Sequence, residues 1–361
     1  NMQLGGYTLI SNLLSKIKKS EKFQEGSYIF KTKDVVKKFM VKLLSLLNEH
    51  FPNETILKLV ITIPERENVI VDLLKNILAE LGIRNDRLVI LGHKQSYMYY
   101  AVSQPKELWA NSVGLFEFDE MGLRYTNLTV DKRTIPYIVG ADVHDLSDIM
   151  PYSVLQEKGD VKYMFLNTAN TMLHKKMVTT IYVTGKGFDQ RWATDALKEL
   201  CNGRRVFRGQ NLFNKGAAYA ARMLTDREKT KEFIFLDDDM LTSDISIRTY
   251  HNAKMHDVVL AKAGTLWSDI DESIDIIPDN EDEIQITDKN VLTRETRAHI
   301  LSLSGFAVRD NKTTRFTVRI RFADQYTCIV TLKDNGFGEF YPSTNRIWER
   351  YIKINGADSK N

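Results

Sequence analysis

The hydrophobic period changes partway along the chain, and that change constrains the fold more than any single motif. Over roughly the first 265 residues, short β-type runs alternate with helical spacing. Leu57-Lys58-Leu59-Val60-Ile61-Thr62-Ile63-Pro64 predicts a strand stopped by proline. The next segment places Ile70, Leu73, Leu74, Ile77, Leu78 and Leu81 on one face of an α-helix, and Gly82 ends it. Leu88-Val89-Ile90-Leu91 predicts a second strand. Strand, long helix, strand is a βα-type unit. Val113 to Phe118 and Leu123 to Val130 predict a hairpin around Asp119-Glu120-Met121-Gly122.

The same alternation continues downstream. The β-branched run Thr179 to Thr184 leads into Gly185-Lys186-Gly187, then a helix carrying Trp192, Ala196, Leu197 and Leu200. Arg205-Val206-Phe207 predicts a short strand, followed by Gly209-Gln210-Asn211. Leu212 to Leu224 predicts a helix rich in small residues (Gly216, Ala217, Ala218, Ala220, Ala221), which lets another element approach its backbone closely. Then the pattern switches. Phe316, Val318, Ile320 and Phe322 alternate with Thr317, Arg319 and Arg321, and Cys328, Val330 and Leu332 answer them. That is a half-buried hairpin of period two. Between the two regimes, Asp269 to Glu283 holds eight acids and no Lys or Arg. It is expected to be a linker, with a β-sandwich over residues 284–361.

Composition narrows the partners. Fifty Lys and Arg against 47 Asp and Glu leave a net charge of +3, too small to imply nucleic acid. No apolar run approaches the ~18–20 residues that span a bilayer, so no integral membrane segment is expected. Cys201 and Cys328 have no metal-ligand spacing and cannot form a disulfide framework. They are expected to be buried thiols in a reducing compartment, which points to the cytoplasm. Residue 1 is Asn, so the chain is expected to begin inside a longer polypeptide.

The strongest site candidate runs from Thr179 to Ala221. Glycines after a strand let a ligand approach the backbone, and helix N-terminal amides favour a phosphate or ribose oxygen. The pattern is not the GxxxxGK[ST] phosphate loop, and an ordinary strand-to-helix turn reads equally from it. Arg204, Arg205, Arg208 and Lys215 form a basic cluster nearby, which is either a phosphate-neutralising patch or a solvated face. Asp237-Asp238-Asp239 reads as an acidic turn, and no metal site is expected.

These segments, in this order, resemble the actin/DnaK-chaperone/sugar-kinase ATPase superfamily. The run from Thr179 to Gly187, a helix, and Gly209-Gln210-Asn211-Leu212-Phe213-Asn214-Lys215-Gly216-Ala217-Ala218 look like its adenosine-binding half. Leu59 to Pro64, a helix, and Leu88-Val89-Ile90-Leu91-Gly92-His93 resemble the chaperone's "VVTVP … INEP" segment. The match covers roughly residues 28–265. The chain is also similar to a family of bacterial hypothetical proteins with "GQNLFxKGA" and "DxGFGEFxP" signatures, which implies fold and not activity.

The resemblance implies an α/β chain of the actin-like ATPase fold, two-lobed and built of ribonuclease-H-like units, with its first strands and first phosphate loop missing from the front. The implied domains are residues 1–130 (remainder of the first lobe), 131–268 (second lobe with the adenosine-type loop), the acidic linker 269–283, and the β-sandwich. ATP or ADP, with magnesium, is the implied ligand. Gly185, Lys186, Gly187, Gly209, Gln210, Lys215 and Gly216 are the implied contacts. Glu117-Phe118-Asp119-Glu120-Met121-Gly122 stands where the family reads Asp-x-Gly-Gly-Gly-Thr. One glycine survives, and two acids stand where phosphate binds and would repel it. Glu117 or Asp119 could still hold magnesium, although a solvated hairpin turn is the more ordinary reading of the same residues. His93 falls near the family's catalytic-region Glu, where a neutral imidazole could orient water, although a lone His is more often structural. The expected role is a nucleotide-binding switch or an ATPase weakened in its phosphate half. The alternative is a non-catalytic scaffold that binds a protein partner through the β-sandwich and its Phe337, Phe340, Tyr341 and Trp348.

Overall fold

The computed structural model describes residues 9–156, 159–251 and 254–354. The outer ends of the expected first and last domains, residues 1–8 and 355–361, lie outside them. The chain is mixed α/β and divides into two compact units, Asn1–Val130 with Ala141–Phe233, and Asp131–Gly140 with Ile234–Asn361.

The first unit opens with α1 (Leu13–Lys19), the hairpin β1 (Lys22–Glu25) and β2 (Tyr28–Lys31), and α2 (Thr32–His50). Then come β3 (Leu59–Ile63), α3 (Asn68–Glu80), β4 (Leu88–Gly92) and α4 (His93–Val102). β3 and β4 pair in parallel, Ile63 beside Gly92, with α3 as their crossover. The helical stripe Ile70, Leu74, Ile77 and Leu78 is buried against Ile63, Leu88 and Ile90. Removing such side chains from water is the main stabilising term here, about 1.5–3 kcal/mol for each fully buried Leu or Ile.

A larger sheet follows. Its strands are β5 (Ser112–Asp119), β6 (Gly122–Asp131), β7 (Tyr137–Asp145, whose second half lies in this unit), β8 (Val178–Thr184) and β9 (Arg205–Arg208). Its helices are α5 (Val161–Leu173), α6 (Arg191–Leu200), α7 (Leu212–Thr225) and the short α8 (Arg227–Thr230). The strand order is β7-β6-β5-β8-β9, within a six-stranded sheet whose further edge strand, β10 (Phe233–Leu236), flanks β7. β5 and β6 form the expected antiparallel hairpin, while β8 runs parallel to β5 and β9 parallel to β8. Phe116, Phe118, Tyr125, Phe165 and Phe188 fill the core beneath α5 and α6. α7 packs on α4 as its small residues allow. A Cβ on Gly216 would lie 1.9 Å from the Ser96 carbonyl oxygen, so only glycine permits the approach.

The second unit holds β10 (Phe233–Leu236), β11 (Ser243–His251), β12 (Lys254–Ala261), β13 (Asp271–Ile276), β14 (Glu283–Asn290), β15 (Thr296–Ser302), β16 (Phe316–Asp324), β17 (Thr327–Asp334) and β18 (Ile347–Lys353). Two four-stranded sheets, β12-β11-β14-β15 and β13-β16-β17-β18, share one apolar core. Val318 faces Leu332, Ile320 faces Val330 and Phe322 faces Cys328, the inward set that the period-two pattern predicts.

Three expectations are corrected. The strand-rich region starts at Ser243 and not at residue 284, because Ile245 and Ile247 already point into the shared core. Residues 269–283 are not a linker. β13 pairs antiparallel with β16, and its acids meet that strand's arginines, Arg319 reaching Asp271. The charge run and the wet arginine face are two halves of one strand pair. The segments expected as separate lobes, 1–130 and 131–268, do not separate there. β5, β8 and β9 lie in one sheet, and residues 234–268 belong to the second unit. Cys328 is buried as expected, but Cys201 is exposed.

Candidate functional site

Of the residues singled out in the sequence, His93, Glu117, Asp119, Gly185, Lys186, Gly187, Gly209 and Gln210 lie at or just beyond the carboxyl ends of four strands in the first unit, while Lys215 and Gly216 lie in α7. β4 ends at Gly92, whose N–H donates to Gln95 Oε1 (3.2 Å), and His93 begins α4. The imidazole stacks on Phe213 in the first turn of α7, with centroids 3.8 Å apart and planes 11° from parallel. Its Nδ1 lies 3.6 Å from Glu117 Oε1. Three segments more than 20 residues apart in sequence thereby meet at one imidazole.

Glu117 sits near the end of β5 and is only 11% exposed. Arg124 faces it across the hairpin, and its Nη2 lies 3.0 Å from Oε2. Burial pushes the Glu117 carboxyl up, but the His93 ring and the Arg124 guanidinium outweigh burial and hold it below its ordinary value. Asp119 moves the other way. Burial raises it, and the Met121 N–H that donates to Oδ1 (2.9 Å) only partly offsets burial and the neighbouring Glu117. The hairpin end thus carries one ion-paired carboxylate beside one that holds its proton more tightly. Of these two acids, Glu117 is compensated by a cation within the hairpin, whereas Asp119 has only the Met121 N–H.

The glycines divide into two kinds. Gly185 has φ +101°, and a Cβ there would lie 2.2 Å from the Phe118 carbonyl oxygen. Gly187 faces the Phe118 ring, 2.3 Å from where its Cβ would be. Their backbone freedom seats the end of β8 on the end of β5. α6 begins only at Arg191, after a single turn over Lys186–Asp189, so the strand does not pass directly into a helix. Gly209 is different. Its N–H donates to Val183 (3.0 Å), and the space around its Cα is open. Gln210 is exposed, and its amide donates to Asp189 Oδ1 (3.1 Å), to which Arg208 also binds (2.5 Å). Lys186 reaches Glu120 (3.6 Å), and Lys215 is exposed on the first turn of α7.

Arg124, Phe213 and Asp189 carry contacts that the sequence reading did not assign. Arg124 had a usable signal, since a two-residue turn at Glu120-Met121 sets position 117 opposite 124. Phe213 and Asp189 had none, because their partners come from distant segments. Among the described residues there is no group of three or more His, Cys, Asp or Glu that could hold a metal ion. Among them, too, no helix is long and apolar enough to cross a membrane.

The aromatic residues expected to meet a partner lie in the second unit, near a buried ion pair. Asp334 is 1% exposed, and both its oxygens bind the Arg309 guanidinium at 2.9 Å. It also accepts from Gly336 N–H (2.8 Å) and from the Thr344 hydroxyl (2.6 Å). This pins the base of the loop that carries Phe340, which is 93% exposed. Trp348, expected on the same face, packs against the core instead.

A family model described as a family of unknown function (DUF5716), C-terminal, matches residues 1–238. A second, described as a domain of unknown function (DUF8552), matches residues 240–354. No curated protein matches the chain.

Proposed function

This chain belongs to the family of unknown function DUF5716, and from that premise we propose that its first unit is a nucleotide-binding switch of the actin/DnaK-chaperone type, with hydrolysis weak or lost. One observation carries the reading. His93, Glu117 and Asp119, Lys186, and Gly209 with Gln210 come from the carboxyl ends of β4, β5, β8 and β9 and lie in one unit. Ligands of open α/β sheets bind beyond those ends. The strand order supports it as well. The antiparallel hairpin β5-β6, with β7 beside β6 and parallel β8 and β9 continuing from β5, is the strand order expected of a ribonuclease-H-like unit, to which β10 adds an edge strand beyond β7.

In this reading ribose and phosphate oxygens approach the open Gly209 backbone, with Gln210, Lys186 and Lys215 around them. Gly185, Gly187 and Gly216 act by packing, so that β8, β5, α4 and α7 hold those groups in place. Loss of hydrolysis follows from the hairpin. Its turn keeps one glycine, Gly122 (φ +94°), where the family's loop has three to let amides wrap a phosphate.

Thermal unfolding with ADP or ATP tests the proposal. A ligand at ~100 times its Kd adds about 2.7 kcal/mol to stability. Gly209→Asp and Lys215→Glu should abolish that shift while leaving the unliganded melting point within a few degrees. If millimolar nucleotide shifts nothing, the reading is wrong. Gly185→Asp is a poor probe, because it would disrupt packing on Phe118 whether or not nucleotide binds.

A second reading is favoured by Phe340. An aromatic ring 93% exposed on a loop pinned by a buried ion pair suits a protein-binding scaffold. A photo-crosslinking side chain at position 340 should then give a discrete adduct in cells, and a nucleotide switch acting alone gives none.

A further inference from the structure

The nucleotide reading brings magnesium with it, since the family it resembles holds that ion with carboxylates at the end of the strand equivalent to β5. The residues present do not fit the ion. Magnesium demands near-octahedral oxygen ligands, normally one or two free carboxylates with waters and phosphate oxygens. Glu117 is not free. Arg124 takes one oxygen at 3.0 Å, and His93 Nδ1 stands 3.6 Å from the other. Asp119 gives Oδ1 to the Met121 N–H (2.9 Å). Glu120 faces Lys186, and Asp145 caps its own turn through the Ser147 N–H (2.9 Å). Each acid around the hairpin end is already engaged, and two of them by cations.

Charge at this place matters to any phosphate, because a bare carboxylate and a phosphate a few ångströms apart repel strongly where water is partly excluded. The neutralising charge has to come from somewhere. Arg124 supplies it permanently, from a half-buried position set by hairpin register. Guanidinium is planar and always charged, and its remaining N–H groups suit an oxyanion. Arg124 Nε is buried, so the terminal N–H groups are the ones that would meet an oxyanion.

We propose that this unit binds its nucleotide without a divalent cation, Arg124 holding beside Glu117 the positive charge that magnesium would otherwise bring. The inference rests on the nucleotide reading, and the experiment separates the two. Thermal shift of the full chain is titrated with ADP in excess magnesium and again in excess EDTA. In parallel, manganese alone is titrated into the nucleotide-free chain and followed by water-proton relaxation. The expected result is the same ADP affinity in both buffers and no saturable manganese site that Glu117→Gln removes. An ADP affinity weaker in EDTA by about tenfold or more overturns this inference and leaves the nucleotide reading standing. A micromolar manganese site lost in Glu117→Gln also overturns it. No ADP shift in either buffer overturns both. Arg124→Met, if it folds, should free Glu117 and gain manganese binding, and because the wild-type titrations decide alone, its misfolding would leave the test intact.

Discussion

His93 lies face to face with Phe213, and the contact ties the first turn of α4 to the first turn of α7. The two residues are 120 positions apart in a chain whose backbone otherwise brings α4 and α7 together through Gly216 and Ser96. Stacked aromatic pairs contribute about 0.5–1.5 kcal/mol beyond the area they bury. A double-mutant cycle of His93→Ala and Phe213→Ala in urea denaturation should give a coupling energy in that range. A coupling near zero would mean that the rings sit together without stabilising each other.

The two kinds of glycine should separate cleanly. Gly185→Ala meets both a positive φ and the Phe118 backbone, and Gly216→Ala drives a methyl into the Ser96 carbonyl. Each should cost about 2–3 kcal/mol or more, from strain and overpacking. Gly209→Ala enters open space and should stay within about 0.5 kcal/mol. Chemical denaturation midpoints of the three variants check the ranking.

Acid should weaken the second unit through Asp334. Burial pushes its carboxyl up, but Arg309, Thr344 and the Gly336 and Thr344 N–H groups overcome burial and leave it well below the usual carboxylate range. A depressed carboxylate contributes stability that is present above its unfolded value, about 3.9, and is lost as pH falls through the folded value. Stability should therefore decline below about pH 4. Asp334→Asn should remove that part of the pH dependence and cost about 3–5 kcal/mol at neutral pH, since Arg309 is left buried at 10% exposure without its partner. Denaturation curves for both proteins from about pH 2 to neutral pH test the sign and the size.

The two thiols should react very differently. Cys201 is exposed on the turn after α6, whereas burial pushes the Cys328 thiol up to about 12. Because the thiolate is the reactive form, a maleimide at mildly alkaline pH should label one thiol in the native chain. Cys201→Ser should abolish that labelling, and Cys328 should react only after unfolding. Mass spectrometry of labelled peptides reads this directly.

Much of the architecture was legible because hydrophobic period is a local property. The stripe from Ile70 to Leu78 and the alternation from Phe316 to Leu332 each announce an element and its inward face. Period two was also present at Ile245 and Ile247, but the acidic run beyond it drew the boundary too late. A run of acids reads as solvated only until its basic partners are known. Those partners are Arg319 on β16 for Asp271, with Arg315 for Asp275 and Lys312 for Asp279 just before that strand.

The candidate site was legible as a set of positions and not as a set of roles. Its members follow strand ends, and strand ends are readable from the sequence. By itself the sequence determined the element types, the inward faces of both units and the positions that crowd the ends of β4, β5, β8 and β9. Tertiary structure alone decided that Gly185, Gly187 and Gly216 serve packing while Gly209 stays open, and that Glu117 is held between Arg124 and His93. The reason is physical. Propensity and period depend on neighbours in sequence, but the room beside a glycine and the charge on a carboxylate depend on which distant segments lie within a few ångströms.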